Sequence, residues 1–208
     1  MLTRRTLVTA ALSLAIAGGM AVPASAAPNP EAASKFINTL AADALRLVEE
    51  DRLKSQANVG KFRDLFRANF DVPYISRFVL GRFWGTATAE QQQEYQRLFE
   101  DWVVSIYAER FNQYSGETLK VVGARAEGER DTLVNSQIVR PNAQVINLEW
   151  RVREAGSQLK IIDVSVENAS MSRTQRQDFE SIILRNGGRI EPLLDELRRR
   201  IQTAATPR

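Results

Sequence analysis

Val145-Ile146-Asn147-Leu148-Glu149-Trp150-Arg151-Val152-Arg153 decides the fold class. Apolar and polar residues alternate without a break: Ile146, Leu148, Trp150 and Val152 share one face, and Asn147, Glu149, Arg151 and Arg153 share the other. Successive side chains of a strand point to opposite sides, so this is a half-buried strand of an antiparallel sheet with one dry face and one wet face.

The neighbouring sequence supplies partners for it. Upstream, Pro141-Asn142 is a turn, and Thr132 to Val139 reads as a strand before it. Glu127-Gly128-Glu129-Arg130 is a further turn, leading back to a strand that opens near Leu119 and Val121. Downstream, Glu154-Ala155-Gly156-Ser157 turns the chain into Leu159 to Val166, where Ile162, Val164 and Val166 share a face. Four consecutive strands joined by short turns predict an antiparallel meander.

Outside the meander the period changes to that of a helix. Ala33, Phe36, Ile37, Leu40, Ala44, Leu47 and Val48 mark one amphipathic helix, and Val59, Phe62, Leu65, Phe66 and Phe70 a second. Pro73 opens a short third segment that breaks at Gly81 before Phe83-Trp84-Gly85. The longest helix follows Thr88, which forms a capping box with Gln91, and carries Tyr95, Leu98, Phe99, Trp102, Val103, Ile106 and Tyr107. After the meander, Ser172 with Gln175 predicts another capping box, ahead of Phe179, Ile182 and Ile183. Asn186-Gly187-Gly188 stops that helix, and Ile190, Leu193, Leu194, Leu197 and Ile201 form the last. The expectation is a single α+β domain: an antiparallel sheet of about four strands packed against several helices.

Composition narrows the chemistry. The chain of 208 residues has 44% hydrophobic and 25% charged residues, which is globular. Its net charge of +3 includes Arg4 and Arg5, and the remaining basic residues are interspersed with acidic ones, so no nucleic-acid partner is expected. There is no Cys and no His. That removes disulfides, Cys–His and Ser–His nucleophile pairs, zinc clusters and His- or Cys-ligated haem, leaving carboxylate hydrolysis or a hard-metal site as formal enzymatic alternatives.

The N-terminus predicts export. Thr3-Arg4-Arg5 precedes an apolar run from Leu7 to Met20 and then Ala24-Ser25-Ala26, the pattern of a secretory leader cleaved after Ala26. Arg4-Arg5 also resembles a twin-arginine signal, although Arg pairs occur in ordinary leaders. An uncleaved anchor is the alternative, but the run is short for a span and Gly18-Gly19 and Pro23 interrupt it. Residues 1–26 are thus expected as signal peptide, 27–33 as a flexible lead-in, and 34–203 as the domain, working in the periplasm.

Trp150, the stretch Leu159-Lys160-Ile161-Ile162-Asp163-Val164, and Val166-Glu167-Asn168-Ala169-Ser170-Met171 together resemble the MlaC / toluene-tolerance Ttg2D family of periplasmic phospholipid carriers. Gly81-Arg82-Phe83-Trp84, Thr88, Gln91-Gln92, Tyr95, Phe99 and Tyr107 are similar to its upstream pattern, and Phe179, Gly187-Gly188 and Leu193-Leu194 to its downstream one. Asn168 stands where that family commonly has Gly. The likeness extends to the HpnM proteins associated with hopanoid biosynthesis.

The resemblance implies an NTF2-like fold enclosing an apolar cavity that holds acyl chains, with no enzymatic step, metal or cofactor. The partners it implies are phospholipid, an inner-membrane MlaFEDB-type ABC transporter complex and an outer-membrane MlaA-type lipoprotein complex. Candidate pocket walls are Ile146, Leu148, Trp150, Val152, Ile162, Val164 and Val166 of the sheet, with Met171, against Phe99, Trp102, Val103 and Tyr107. Phe179 and Ile183 join them, and Phe83 and Trp84 are candidates for the rim. Each of these side chains is equally explained as ordinary core packing. Arg82 and Arg173 are the candidates for a phosphate headgroup. Asp163 reads as a local salt bridge or cap, and Arg151 and Arg153 as surface residues. A hopanoid carrier, an interaction module with a solid core, and a carboxylate hydrolase are the competing readings.

Overall fold

The computed structural model describes residues 27–51, 56–112, 114–141 and 144–205; the predicted leader lies outside them. Among these residues the order is α1 (Pro30–Asp51), α2 (Gln56–Asn69), α3 (Val72–Leu80), a 3-10 turn (Gly81–Gly85) and α4 (Ala89–Asn112). The meander follows as β1 (Thr118–Glu127), β2 (Asp131–Val139), β3 (Val145–Ala155), β4 (Gln158–Val166) and β5 (Ala169–Ser170), then α5 (Met171–Arg185) and α6 (Glu191–Ala205). The sheet is antiparallel in the order β1-β2-β3-β4-β5. The fifth strand, not expected from the sequence, has two residues and returns from a turn in which Glu167 and Asn168 have φ of 47° and 67°. Asn tolerates that left-handed backbone better than most side chains, so Asn168 substitutes for glycine there.

Helix α1 crosses one face of the sheet. Ala33, Ile37 and Leu40 recur on one side of it and pack with Val134, Val152 and Ile161. Asn29 caps it by accepting the Glu31 amide at 2.8 Å, and Pro30 occupies the first turn, where its missing N–H costs nothing. Pro28 is buried, its carbonyl accepts the Thr132 hydroxyl at 2.5 Å, and the helix already begins at Pro30.

The other helices build a core of their own. Phe62 and Phe66 of α2, Val79 and Leu80 of α3, Tyr95, Leu98, Phe99 and Trp102 of α4, Phe179 and Ile183 of α5, and Leu193 and Leu197 of α6 form one buried cluster. Phe179 is its hub: its ring meets those of Tyr95 and Phe99 edge-on at 6.2 and 6.5 Å and lies 5.6 Å from Trp102. The Tyr95 hydroxyl donates to the Ser76 carbonyl at 3.0 Å, and burial pushes its pKa well above the usual tyrosine value.

Capping fixes both ends of this helical layer. Thr88 and Gln91 form the expected reciprocal box, with amide-to-side-chain distances of 2.9 and 3.2 Å. The cap of α5 lies two residues earlier than expected. Ser170 accepts the Arg173 amide at 3.2 Å, whereas Ser172 is already helical. The cause is Asp163, which accepts the Ser170 hydroxyl at 2.5 Å and the Ser172 amide at 3.1 Å, tying the helix start to β4. Lys160 also ties β4 to the helices, donating to the carbonyls of Arg67 and Ala68 at 3.1 and 2.6 Å at the end of α2. Among the described residues no helix is long and apolar enough to cross a membrane.

Candidate functional site

The α1-facing side of the sheet is closed at one end and half-open at the other. Strand register places Val134, Trp150 and Val164 in one row, Ser136, Leu148 and Val166 in the next, and Ile138 beside Ile146 and Leu119 in the last. Val134 is fully buried under α1, but Leu119, Val121, Ile138, Ile146, Trp150, Val164 and Val166 are all only half-buried. They form an apolar band across β1–β4. Its polar atoms are already satisfied: the Trp150 Nε1–H donates to the buried Ser136 hydroxyl at 2.8 Å. A surface of this kind offers contact and desolvation to hydrocarbon and few competing hydrogen bonds.

The structure divides the expected pocket residues between two places. Trp150, Val152 and Val164 belong to the α1–sheet cluster, and Ile146, Leu148 and Val166 continue their face along the register. Ile162 leaves that face because a bulge pairs Val152 with Ile161 and Arg151 with Asp163, and the intervening Ile162 is buried. Phe99, Trp102, Phe179 and Ile183 lie in the helical core, with Phe83, Trp84 and Val103 packed partly buried against it. The stripe of α4 thus packs on helices, and the helix that lies on the sheet is α1. Tyr107 and Met171 are exposed at 36% and 38%.

Leu119, Val121 and Ile138 belong to the band without having been singled out from the sequence. The available signal was the register: Ile138 is directly opposite Ile146, and Leu119 opposite Ile138.

The opposite face of the sheet is polar and braced. Asp131, 6% exposed, accepts from Arg153 at 2.6 and 3.0 Å and from Arg151 at 3.0 Å. Burial alone would push its carboxyl up, but the two guanidinium hydrogen bonds and charges outweigh it, leaving the pKa below the usual aspartate value. Arg151 and Arg153 are therefore structural partners of a buried acid and not the free surface residues the alternation suggested. Asp163 is the local cap anticipated for it, through β5 and α5 rather than through Lys160.

The two headgroup candidates do not converge on the band. Arg82 is paired with Glu180 at 2.9 Å and lies over the Phe83 ring. Arg173 is exposed in the first turn of α5, seven residues before Glu180 and so about 10 Å away along the helix.

With this geometry in hand, similarity to known proteins becomes informative. Residues 38–199 match the family described as MlaC protein. The chain belongs to the MlaC family. A curated relative, the toluene tolerance protein ttg2D of Pseudomonas putida, is 23% identical over 126 residues, covering 60% of this chain and 59% of that protein. The match therefore spans less than two thirds of that relative's length. A solved structure, the phospholipid-binding protein from Ralstonia solanacearum in complex with a phospholipid, superposes with a TM-score of 0.75. It is 25% identical and covers 84% of this chain and 99% of its own. The α+β architecture of this MlaC-family chain, with its five-stranded antiparallel sheet, agrees with that relative.

Proposed function

We propose that this MlaC-family protein is a periplasmic carrier that holds phospholipid acyl chains against the apolar band of its sheet and moves the lipid between membranes. The observation that carries the reading is the band itself: seven half-buried apolar side chains, from Leu119 to Val166, in a fold whose solved relative from Ralstonia solanacearum is in complex with a phospholipid. Each acyl CH₂ withdrawn from water contributes about 0.8 kcal/mol, so a surface able to cover most of two chains supplies the affinity a carrier needs.

In this reading Ile138, Ile146, Leu148, Trp150, Val164 and Val166 meet the chains. Phe99, Trp102, Phe179 and Ile183 serve by holding the helical layer rigid, and Phe83 and Trp84 by packing against it. No group is arranged for catalysis in this reading: Ser170 and Asp163 are occupied in capping α5. The carrier is passive, receiving lipid from and delivering it to an inner-membrane MlaFEDB-type ABC transporter complex and an outer-membrane MlaA-type lipoprotein complex.

Native mass spectrometry of the protein purified from the periplasm, followed by lipid extraction, tests this. A stoichiometric diacyl phospholipid is the expected result. A hopanoid would change the cargo, and an apo mass together with no uptake from phospholipid vesicles would overturn the carrier.

A further inference from the structure

A concave feature lies on the helical layer, on elements other than the strands of the apolar band. Tyr74, Arg77, Phe78 and Gly81 of α3 and its C-cap, with Arg176 of α5, line an open groove of about 310 Å³. Its two cations differ from the arginines that the fold holds in ion pairs. The guanidiniums of Arg63, Arg67, Arg82, Arg125, Arg151 and Arg153 each meet a carboxylate, as do those of Arg198, Arg199 and Arg200 in α6. Arg77 and Arg176 have no carboxylate partner among the described residues. Each instead lies over an aromatic ring, Arg77 5.7 Å from the Trp84 centroid and Arg176 5.3 Å from that of Phe78. Stacking fixes the plane of a guanidinium while leaving its N–H edge available, the arrangement that suits bidentate recognition of a carboxylate.

The backbone preserves the arrangement. Gly81 has φ of +60°, and a Cβ there would stand 2.8 Å from Nε of Arg176, so a larger residue would both strain the turn and push that guanidinium out of place. Two acids on the same elements are already committed: Glu180 pairs with Arg82, and Asp71 caps α3 through the Tyr74 amide at 3.0 Å. Tyr74, 39% exposed, adds an apolar wall that is itself braced by Arg153 at 5.1 Å from its ring.

We infer that this groove is a docking site for an acidic peptide segment of a partner protein, which inserts a Glu or Asp carboxylate between Arg77 and Arg176 and lays an adjacent apolar side chain on Tyr74 and Phe78. A concave site holding two fixed guanidiniums matches an inserting side chain, whereas a bilayer surface is better met by a convex, projecting basic face. The inference concerns docking and does not depend on which lipid is carried.

The test is NMR titration of the ¹⁵N-labelled, lipid-loaded protein with acetyl-Glu-Leu-Glu amide, acetyl-Lys-Leu-Lys amide as control. Shifts confined to residues 74–81 and the first half of α5, abolished by high salt and absent with the lysine peptide, are expected. The double variant R77Q/R176Q should weaken binding about tenfold or more, a loss of about 1.4 kcal/mol or more, because both charged hydrogen-bond donors to the carboxylate are removed. R77K/R176K, keeping charge without the fork, should fall between. Both variants should retain wild-type lipid occupancy and melting temperature, which separates failure of docking from failure of carrying or folding. No localised shift at millimolar peptide would overturn the proposal. So would a groove that ignores the peptide while vesicles of phosphatidylglycerol and phosphatidylethanolamine shift the same resonances, because the site would then face a membrane.

Discussion

The helical core and the α1-facing sheet are built from similar side chains but finished differently. The centre of the helical core is closed: Tyr95, Phe179, Ile183, Leu193 and Leu197 are all at 0% exposure, with partly buried residues such as Phe83 and Trp84 at its margin. On the sheet the same density of branched and aromatic residues stops at half burial from Leu119 to Val166. Apolar area left half-exposed in a water-soluble fold forgoes stabilisation of about 25 cal/mol per Å². A continuous half-buried apolar face of this kind is where a ligand can complete the burial. On the proposed function the comparison divides the labour: the helical layer holds the fold, and the sheet is the side that would hold the cargo.

The largest expected effect breaks the helical side of that comparison. Phe179→Ala removes the ring that three other aromatics pack against, and should cost about 3–5 kcal/mol in urea unfolding. Any variant protein that remains folded should still carry lipid. A loss below about 1 kcal/mol, or loss of lipid at full stability, would show that Phe179 lines the cargo site.

The sheet's polar side predicts a pH dependence. Asp131 has a lowered pKa in the folded protein, so protonating it favours the unfolded state. Its contribution is complete above the ordinary aspartate range, near 4, and disappears as the pH falls through the lower folded value. Asp131→Asn should cost about 2 kcal/mol at neutral pH, less than for a fully buried ion pair because Arg151 and Arg153 both reach solvent. Below pH 4 the gap between variant and wild type should close in acid-unfolding curves. A constant gap down to pH 2 would place the effect in packing and not in charge.

The sequence carried the fold further than it carried the site. Alternation in Val145–Arg153 fixed which side of β3 is dry, and the Thr88–Gln91 box fixed the start of α4, because both are local patterns. What escaped was non-local. Nothing within α4 says that its aromatic stripe meets helices and not strands; that depends on α1 occupying the sheet first. Nothing in the spacing of Arg151 and Arg153 announces that Asp131, twenty residues earlier, is buried between them. The displaced α5 cap has the same origin, since Asp163 reaches it across the β4–β5 turn.

A gentler change tests the open side. Ile146→Asn leaves the helical core untouched and replaces one half-buried member of the band, so stability should fall by no more than about 1 kcal/mol. Lipid occupancy in native mass spectra should nevertheless drop severalfold, because an amide carried into contact with acyl chains is left without a partner. Loss of stability without loss of lipid would make the band ordinary core and dissolve the division between the two regions.

The smallest expected effect sharpens the comparison from within the band. Trp150 combines both roles: its ring contributes to the apolar face, and its Nε1–H satisfies the buried Ser136 hydroxyl. Trp150→Phe keeps most of the apolar surface and removes only that hydrogen bond, leaving Ser136 without its indole donor. The cost should be about 1 kcal/mol in stability, with lipid occupancy close to wild type. Adding Ser136→Ala should recover much of the loss, since removing both partners of a buried hydrogen bond costs less than removing one. A double variant no better than the single would show that the indole ring's bulk, and not its bond to Ser136, is what β2 and β3 require at this position.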